Sequence, residues 1–201
     1  MTTETEIPCR DQAALNAEFL GLVVAGTQVQ LPGRAAQRLS GLGEPVRRRL
    51  GALPFARFGV GFEDEAGWER LLSPGVRDLV PPYVRGDARV ERFTLLALTT
   101  LRGFARMAPR SASAWSGLPV VTRARLAELD IGLLPPVAVL AAPRLRGRLA
   151  LRESGWLRLL DAAEREDERQ LELLAALGKQ WTIRRALGIS RPTSTGRRFR
   201  R

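Results

Sequence analysis

The 201 residues carry 32 basic and 21 acidic side chains, a net charge of +11, with 45% apolar residues and no histidine. That composition suits one globular domain or two small ones with a real core, and without histidine, and with Cys9 as the lone cysteine, it excludes a Ser-His-Asp triad, a zinc site and an internal disulfide. The longest apolar runs, Phe93–Leu101 and Leu133–Pro143, are too short to cross a bilayer, and the polar, acidic start MTTETEIPCRD lacks a secretory pattern, so a cytoplasmic protein with no membrane span is expected.

In chain order, Asp11 caps a first helix with Leu15, Phe19, Leu22 and Gly26 on one face, ending before Pro32 and Gly33. A short second helix covers Arg34 to Leu39, and Gly41 and Gly43 separate it from a third. There Pro45 takes an early position, while Val46, Leu50 and Leu53 form a stripe opposite Arg47, Arg48 and Arg49. The period then changes: Phe58, Val60 and Phe62 alternate with Gly59 and Gly61, the pattern of one short strand. A lone strand needs a partner, either elsewhere in the chain or in a second copy. Asp64 caps a helix containing Trp68, Leu71 and Leu72, and the proline-rich stretch from Ser73 to Gly86 reads as a connection. After Asp87 a longer helix carries Val90, Phe93, Ala97, Leu101 and Phe104 on one side and ends by Pro109. From Ser154 a helix with Trp156, Leu159 and Leu160 runs into the charged patch Glu164–Arg169, and its continuation aligns Leu171, Leu174, Leu177 or Gly178, and Trp181.

The two halves share residues at fixed offsets. Ser40, Gly41, Leu42, Arg47, Arg49, Leu50 and Leu53 match Ser116, Gly117, Leu118, Arg123, Arg125, Leu126 and Leu129, and Gly67, Trp68, Arg70 and Leu71 match Gly155, Trp156, Arg158 and Leu159 once Gly132–Pro143 is taken as an insertion. This is either a duplicated helical unit or coincidence in a chain rich in Leu, Ala, Arg and Gly. The expected fold class is all-α, with one short strand and a basic C-terminal helix or tail. Its expected divisions are a flexible N-terminus over 1–10, helical units over 11–75 and 88–163 joined by a linker over 76–87, and a C-terminal helix and basic tail over 164–201.

Charge is concentrated at the C-terminal end. Lys179, Arg184, Arg185, Arg191, Arg197, Arg198, Arg200 and Arg201 follow Gly178, and no acidic residue follows Glu172. Clustered cations of this kind find phosphate or stay solvated. Residues 183–193, IRRALGISRPT, have the residue order of a helix-turn-helix turn. In that reading Gly188 makes the turn, Ile189 is the buried anchor and Ser190 caps the next helix, with Arg184, Arg185, Arg191, Thr193, Arg197 and Arg198 as phosphate or groove contacts. Arg184 stands where crossing helices normally need a small residue, and Ser194, Thr195 and Gly196 replace the usual apolar support, so a basic tail without base readout is the alternative. A second basic region, Arg102–Arg152, reads either as the wet side of amphipathic helices or as a phosphate track in which Arg123 and Arg125 mirror Arg47 and Arg49.

Residues 15–64 resemble the flagellar transcriptional regulator family FlhD through Leu15-Asn16, Phe19-Leu20, Gly41-Leu42, Leu50 and Leu53, and Phe62 before Asp64, with Glu63 interrupting the family's Phe-Asp pair. The resemblance implies a dimerising helical regulator that binds DNA together with a partner subunit, FlhC, which supplies the zinc-binding cysteines. A duplicated unit would replace that dimer within one chain.

The expected function is therefore a DNA-associated, transcriptional regulator-like protein with a protein partner or self-association, no cofactor, and no catalytic or metal site. The alternative is a helical protein–protein adaptor of a bacterial secretion or flagellar apparatus, with Trp68, Trp115 and Trp156 as anchors or as core. An enzyme ranks third: Asp64, Glu65 and Glu69 could gather carboxylates for magnesium or simply cap a helix.

Overall fold

A computed structural model describes residues 9–80, 86–148 and 153–189. Helix α1 spans Cys9–Val24, α2 Gly33–Ser40, α3 Glu44–Ala52 and α4 Glu65–Leu71, with the strand β1, Phe58–Gly59, between α3 and α4. Helix α5 spans Ala88–Met107, α6 Pro109–Ser116, α7 Val120–Glu128 and α8 Leu134–Ala141; β2, Arg146–Gly147, precedes α9, Glu153–Glu164, and α10, Glu168–Ala186. The protein is mostly helical, as its composition and periodicities predict.

Most boundaries follow local chemistry. The Asp64 carboxylate accepts from the Gly67 amide at 2.9 Å and is the expected cap, and Asp87 likewise caps α5 by accepting from the Arg89 amide at 2.9 Å. Pro45 and Pro109 occupy early positions of α3 and α6, where a missing N–H costs nothing. Two expectations change. α1 begins at Cys9, which places Asp11 inside the first turn instead of at the cap. The helix from Ser154 does not continue through the charged patch: Glu166 adopts a left-handed φ of 58°, and Asp167 caps α10 by accepting from the Gln170 amide at 2.9 Å. The break lets α9 and α10 bury different faces.

The predicted strand finds its partner within the chain. β1 pairs antiparallel with β2, Phe58 opposite Gly147 and Gly59 opposite Arg146. Phe58 lies at the centre of an aromatic cluster, with ring centroids 5.0 Å from Phe93, 5.8 Å from Phe19 and 5.8 Å from Trp115. The apolar stripes of α1 and α5 meet there, and Trp68, Trp115 and Trp156 are all buried in the same core. Those tryptophans are packing residues and offer no exposed anchor to another protein.

Asn16 organises the crossing of α1 with the chain after α3. Its amide nitrogen donates to the carbonyls of Gly51, Leu53 and Phe55 at 3.1, 3.3 and 3.0 Å, and its oxygen accepts from the Arg57 amide at 2.9 Å. The side chain is fully buried, so every one of these bonds replaces water.

Element positions repeat along the chain. A shift of 76 residues carries Gly33–Ser40 onto Pro109–Ser116 and Glu44–Ala52 onto Val120–Glu128; a shift of 88 carries Phe58–Gly59 onto Arg146–Gly147 and the start of α4 at Glu65 onto that of α9 at Glu153. The packing crosses over, because α9 lies against α2 and α3 whereas α4 lies against α7.

Candidate nucleic-acid interface

Helix α10 positions the first of the expected cations. Its inner face, with Leu171, Leu174, Gly178, Thr182 and Ala186, is buried, chiefly against α6 and α9. Gly178 is required there: a Cβ at this position would lie 2.4 Å from the Phe55 ring. The Thr182 hydroxyl returns its hydrogen bond to the Gly178 carbonyl at 2.8 Å and so brings no orphan donor into the contact.

The helix ends at a glycine, as the turn pattern predicts. Gly188 has φ +68°, its amide donates to the Arg185 carbonyl at 3.0 Å and the Ile189 amide donates to the Arg184 carbonyl at 2.9 Å, the two bonds of a Schellman cap. Ile189 is 53% exposed among the described residues, and the segment that would cover it in a helix-turn-helix lies outside them. Among the described residues nothing buries the end of α10. Ser190, Arg191, Thr193, Arg197 and Arg198 lie outside the described residues.

Arg184 and Arg185 have different surroundings although they are adjacent. Arg184 is exposed. Arg185 is half-buried, donates to the Glu63 carboxylate at 2.7 Å and lies 5.2 Å over the Trp181 ring. Glu63 also pairs with Arg146, so one carboxylate joins β2 to α10. Burial lowers the Arg185 pKa, but the ion pair leaves its charge already engaged.

Behind this cluster sit two arginines that sequence reasoning missed. Arg148 donates to the carbonyls of Ala56 and Trp115 at 3.2 and 2.9 Å and to that of Ser116. Burial, with Arg185 nearby, pulls its guanidinium down to about 9, still protonated at neutral pH. Arg57 is fully buried, stacks 3.6 Å from the Phe55 ring centroid and donates through Nε to the Leu50 carbonyl at 3.2 Å, leaving both terminal nitrogens unpartnered. Burial and the charge of Arg148 push its pKa well below the ordinary arginine range. The available signal was an arginine inside the apolar run Leu53–Val60, a pattern that more often marks a wet strand edge. Phe62, Glu63, Ser116, Gly117, Arg148 and Arg185 help line a cavity of about 20 Å³, room for one water and not for a nucleobase.

Several of the remaining cations are paired within the body. Arg49 meets Glu166 at 2.5 Å and Arg125 meets Glu69 at 2.7 Å, two positions related by the shift of 76. Arg38 holds Asp161 and Glu164 at 2.5 and 2.6 Å, and those carboxylates raise its pKa. Arg47 pairs with Glu44, and Arg123 donates to the Pro109 carbonyl and the Ser113 hydroxyl. The paired helices therefore do not present an unbroken cationic track through Arg47, Arg49, Arg123 and Arg125. Glu164 and Glu166 of the charged patch thus pair with α2 and α3.

The carboxylates considered for magnesium are dispersed in use. Asp64 caps α4 and meets Arg144 at 3.1 Å, and Glu69 is taken by Arg125. Among the described residues no group of three or more His, Cys, Asp or Glu side chains is placed to hold a metal ion. No single described helix is long and apolar enough to cross a membrane. The chain matches no protein-family model, no curated protein and no solved structure.

Proposed function

We propose that this protein is a DNA-associated, transcriptional regulator-like protein whose contact with nucleic acid runs from the last turn of α10 into the arginine-rich C-terminal segment. One observation carries the reading: Arg38, Arg47, Arg49, Arg125, Arg144 and Arg146 are each matched to a carboxylate within the body, whereas no acidic residue follows Glu172 to match the C-terminal cations. The surplus positive charge is thus gathered at one end, where phosphates bind by counterion release. Arg184, Arg191, Thr193, Arg197 and Arg198 are its contacts, and Arg185 joins them when Glu63 lets go.

The same reading takes the fold as two copies of one helical unit. The coincident helix bounds and the reciprocal pairing of Phe58 with Gly147 and Gly59 with Arg146 support it, and a common Cα path for 33–59 and 109–147, allowing the insertion, is the measurement that checks it.

The test is a salt series of duplex binding with mixed-sequence DNA. Ending the chain at Ile189 is the informative truncation, because ending it at Gly178 removes the buried Thr182 and Ala186 and unseats α10. Binding that falls steeply with salt and is lost without residues 190–201 supports the proposal; binding unchanged by the truncation overturns it. The adaptor reading is supported only by exposed leucines on α10, and co-purification of a protein partner with no DNA retention at moderate salt favours it.

A further inference from the structure

The outward face of α10 carries four large apolar side chains, interspersed with the exposed Arg169, Ala176, Gln180 and Arg184. Leu173, Leu177, Ile183 and Leu187 are 60%, 53%, 38% and 61% exposed. At about 100° per residue they fall within roughly 120° of one another, opposite the buried stripe of Leu171, Leu174, Gly178 and Thr182. The spacing is mirror-symmetric: two of the four lie three residues to either side of Gln180 and two lie seven to either side.

We propose that the protein forms a homodimer in which α10 packs antiparallel against α10 of a second copy, about a two-fold axis at Gln180. A two-fold operation requires each apolar residue to find a counterpart at equal distance beyond the axis, and this helix supplies one for all four. Leu173 then lies beside Leu187 of the second copy and Leu177 beside its Ile183, closing a seam about 21 Å long. A partner of different sequence imposes no such mirror spacing.

Charge fits the same arrangement. Among the exposed charges of α10, Glu168, Arg169 and Glu172 leave the first half net negative, and Lys179 and Arg184 make the second half positive, Arg185 being held by Glu63. Antiparallel packing sets the net-negative half of one copy against the positive half of the other and opposes the two helix dipoles. A parallel pair would juxtapose like charges. One helix pair buries less than most permanent interfaces do, so the association is expected in the micromolar range.

The experiment is sedimentation velocity of the full chain from about 1 to 200 μM, in DNA-free buffer so that its outcome is independent of nucleic-acid binding. The expected result is a concentration-dependent shift from 22.2 kDa to twice that mass. Leu177→Glu weakens the dimer at least tenfold, and Gln180→Leu, which adds an apolar pair at the axis, tightens it about tenfold. In a Cys9→Ser background, Gln180→Cys forms a disulfide-linked dimer on mild oxidation, whereas Leu173→Cys links to a chain bearing Leu187→Cys and not to itself. A chain that stays monomeric throughout, a dimer indifferent to both Leu177→Glu and Gln180→Leu, self-linking at position 173, or a different protein occupying α10 of a monomer each overturns the proposal.

Discussion

The Glu63 carboxylate receives the Arg185 guanidinium at 2.7 Å while also holding Arg146, so a residue just beyond the strand restrains the cation nearest the basic C-terminal segment. Replacing that acid tests whether the restrained cations belong to the DNA contact. Glu63→Gln is expected to tighten duplex binding and to steepen its salt dependence by about one to two units of log–log slope, because up to two guanidinium groups become available to phosphate. The stability cost is small, under about 1 kcal/mol, since the Glu63 side chain is 37% exposed and the pair is screened. Fluorescence anisotropy across a salt series measures it, and an unchanged slope removes Arg185 from the interface.

Glycine-to-alanine changes in two helices should have opposite signs. Gly103, on α5, has nothing within 4 Å of where a Cβ would sit, so Gly103→Ala raises stability by about 0.5–1 kcal/mol through helix propensity. Gly178→Ala drives a methyl into the Phe55 ring and lowers it by about 1–3 kcal/mol. Urea unfolding of the two variants reads the difference.

Asn16→Ala leaves three carbonyls and one amide of the α3-to-β1 segment without their partner, and is expected to cost about 2–4 kcal/mol. Asn16→Asp fares no better, because it keeps the acceptor and turns the donor toward those carbonyls into a second anionic oxygen. Equilibrium unfolding with near-UV circular dichroism checks both, the second because Phe55 and Phe58 follow this segment.

The two buried arginines should also respond oppositely. Arg57→Met replaces a guanidinium whose terminal nitrogens have no partners by an apolar chain of similar length, and is expected to raise stability by about 1–3 kcal/mol. Arg148→Met orphans the carbonyls of Ala56, Trp115 and Ser116 and lowers it by a similar amount. Thermal unfolding of both variants at neutral pH, where Arg148 is charged, gives the comparison.

The sequence by itself determined the helical class, the cap at Asp64, the glycine stop at Gly188 and the buried stripe of α5, because each depends on residues within a turn or two of one another. It also located the strand and the two series of matching residues. Tertiary structure alone decided which segment pairs with that strand and that Glu166 breaks the predicted continuous helix. It also decided which arginines are spent inside the molecule. Arg49 and Glu166 stand 117 residues apart, and Arg185 and Glu63 are even farther apart along the chain. A charge reads the same in sequence whether its counterion is water or a carboxylate; only the packing of helices, driven by their apolar faces, determines which acids and bases meet.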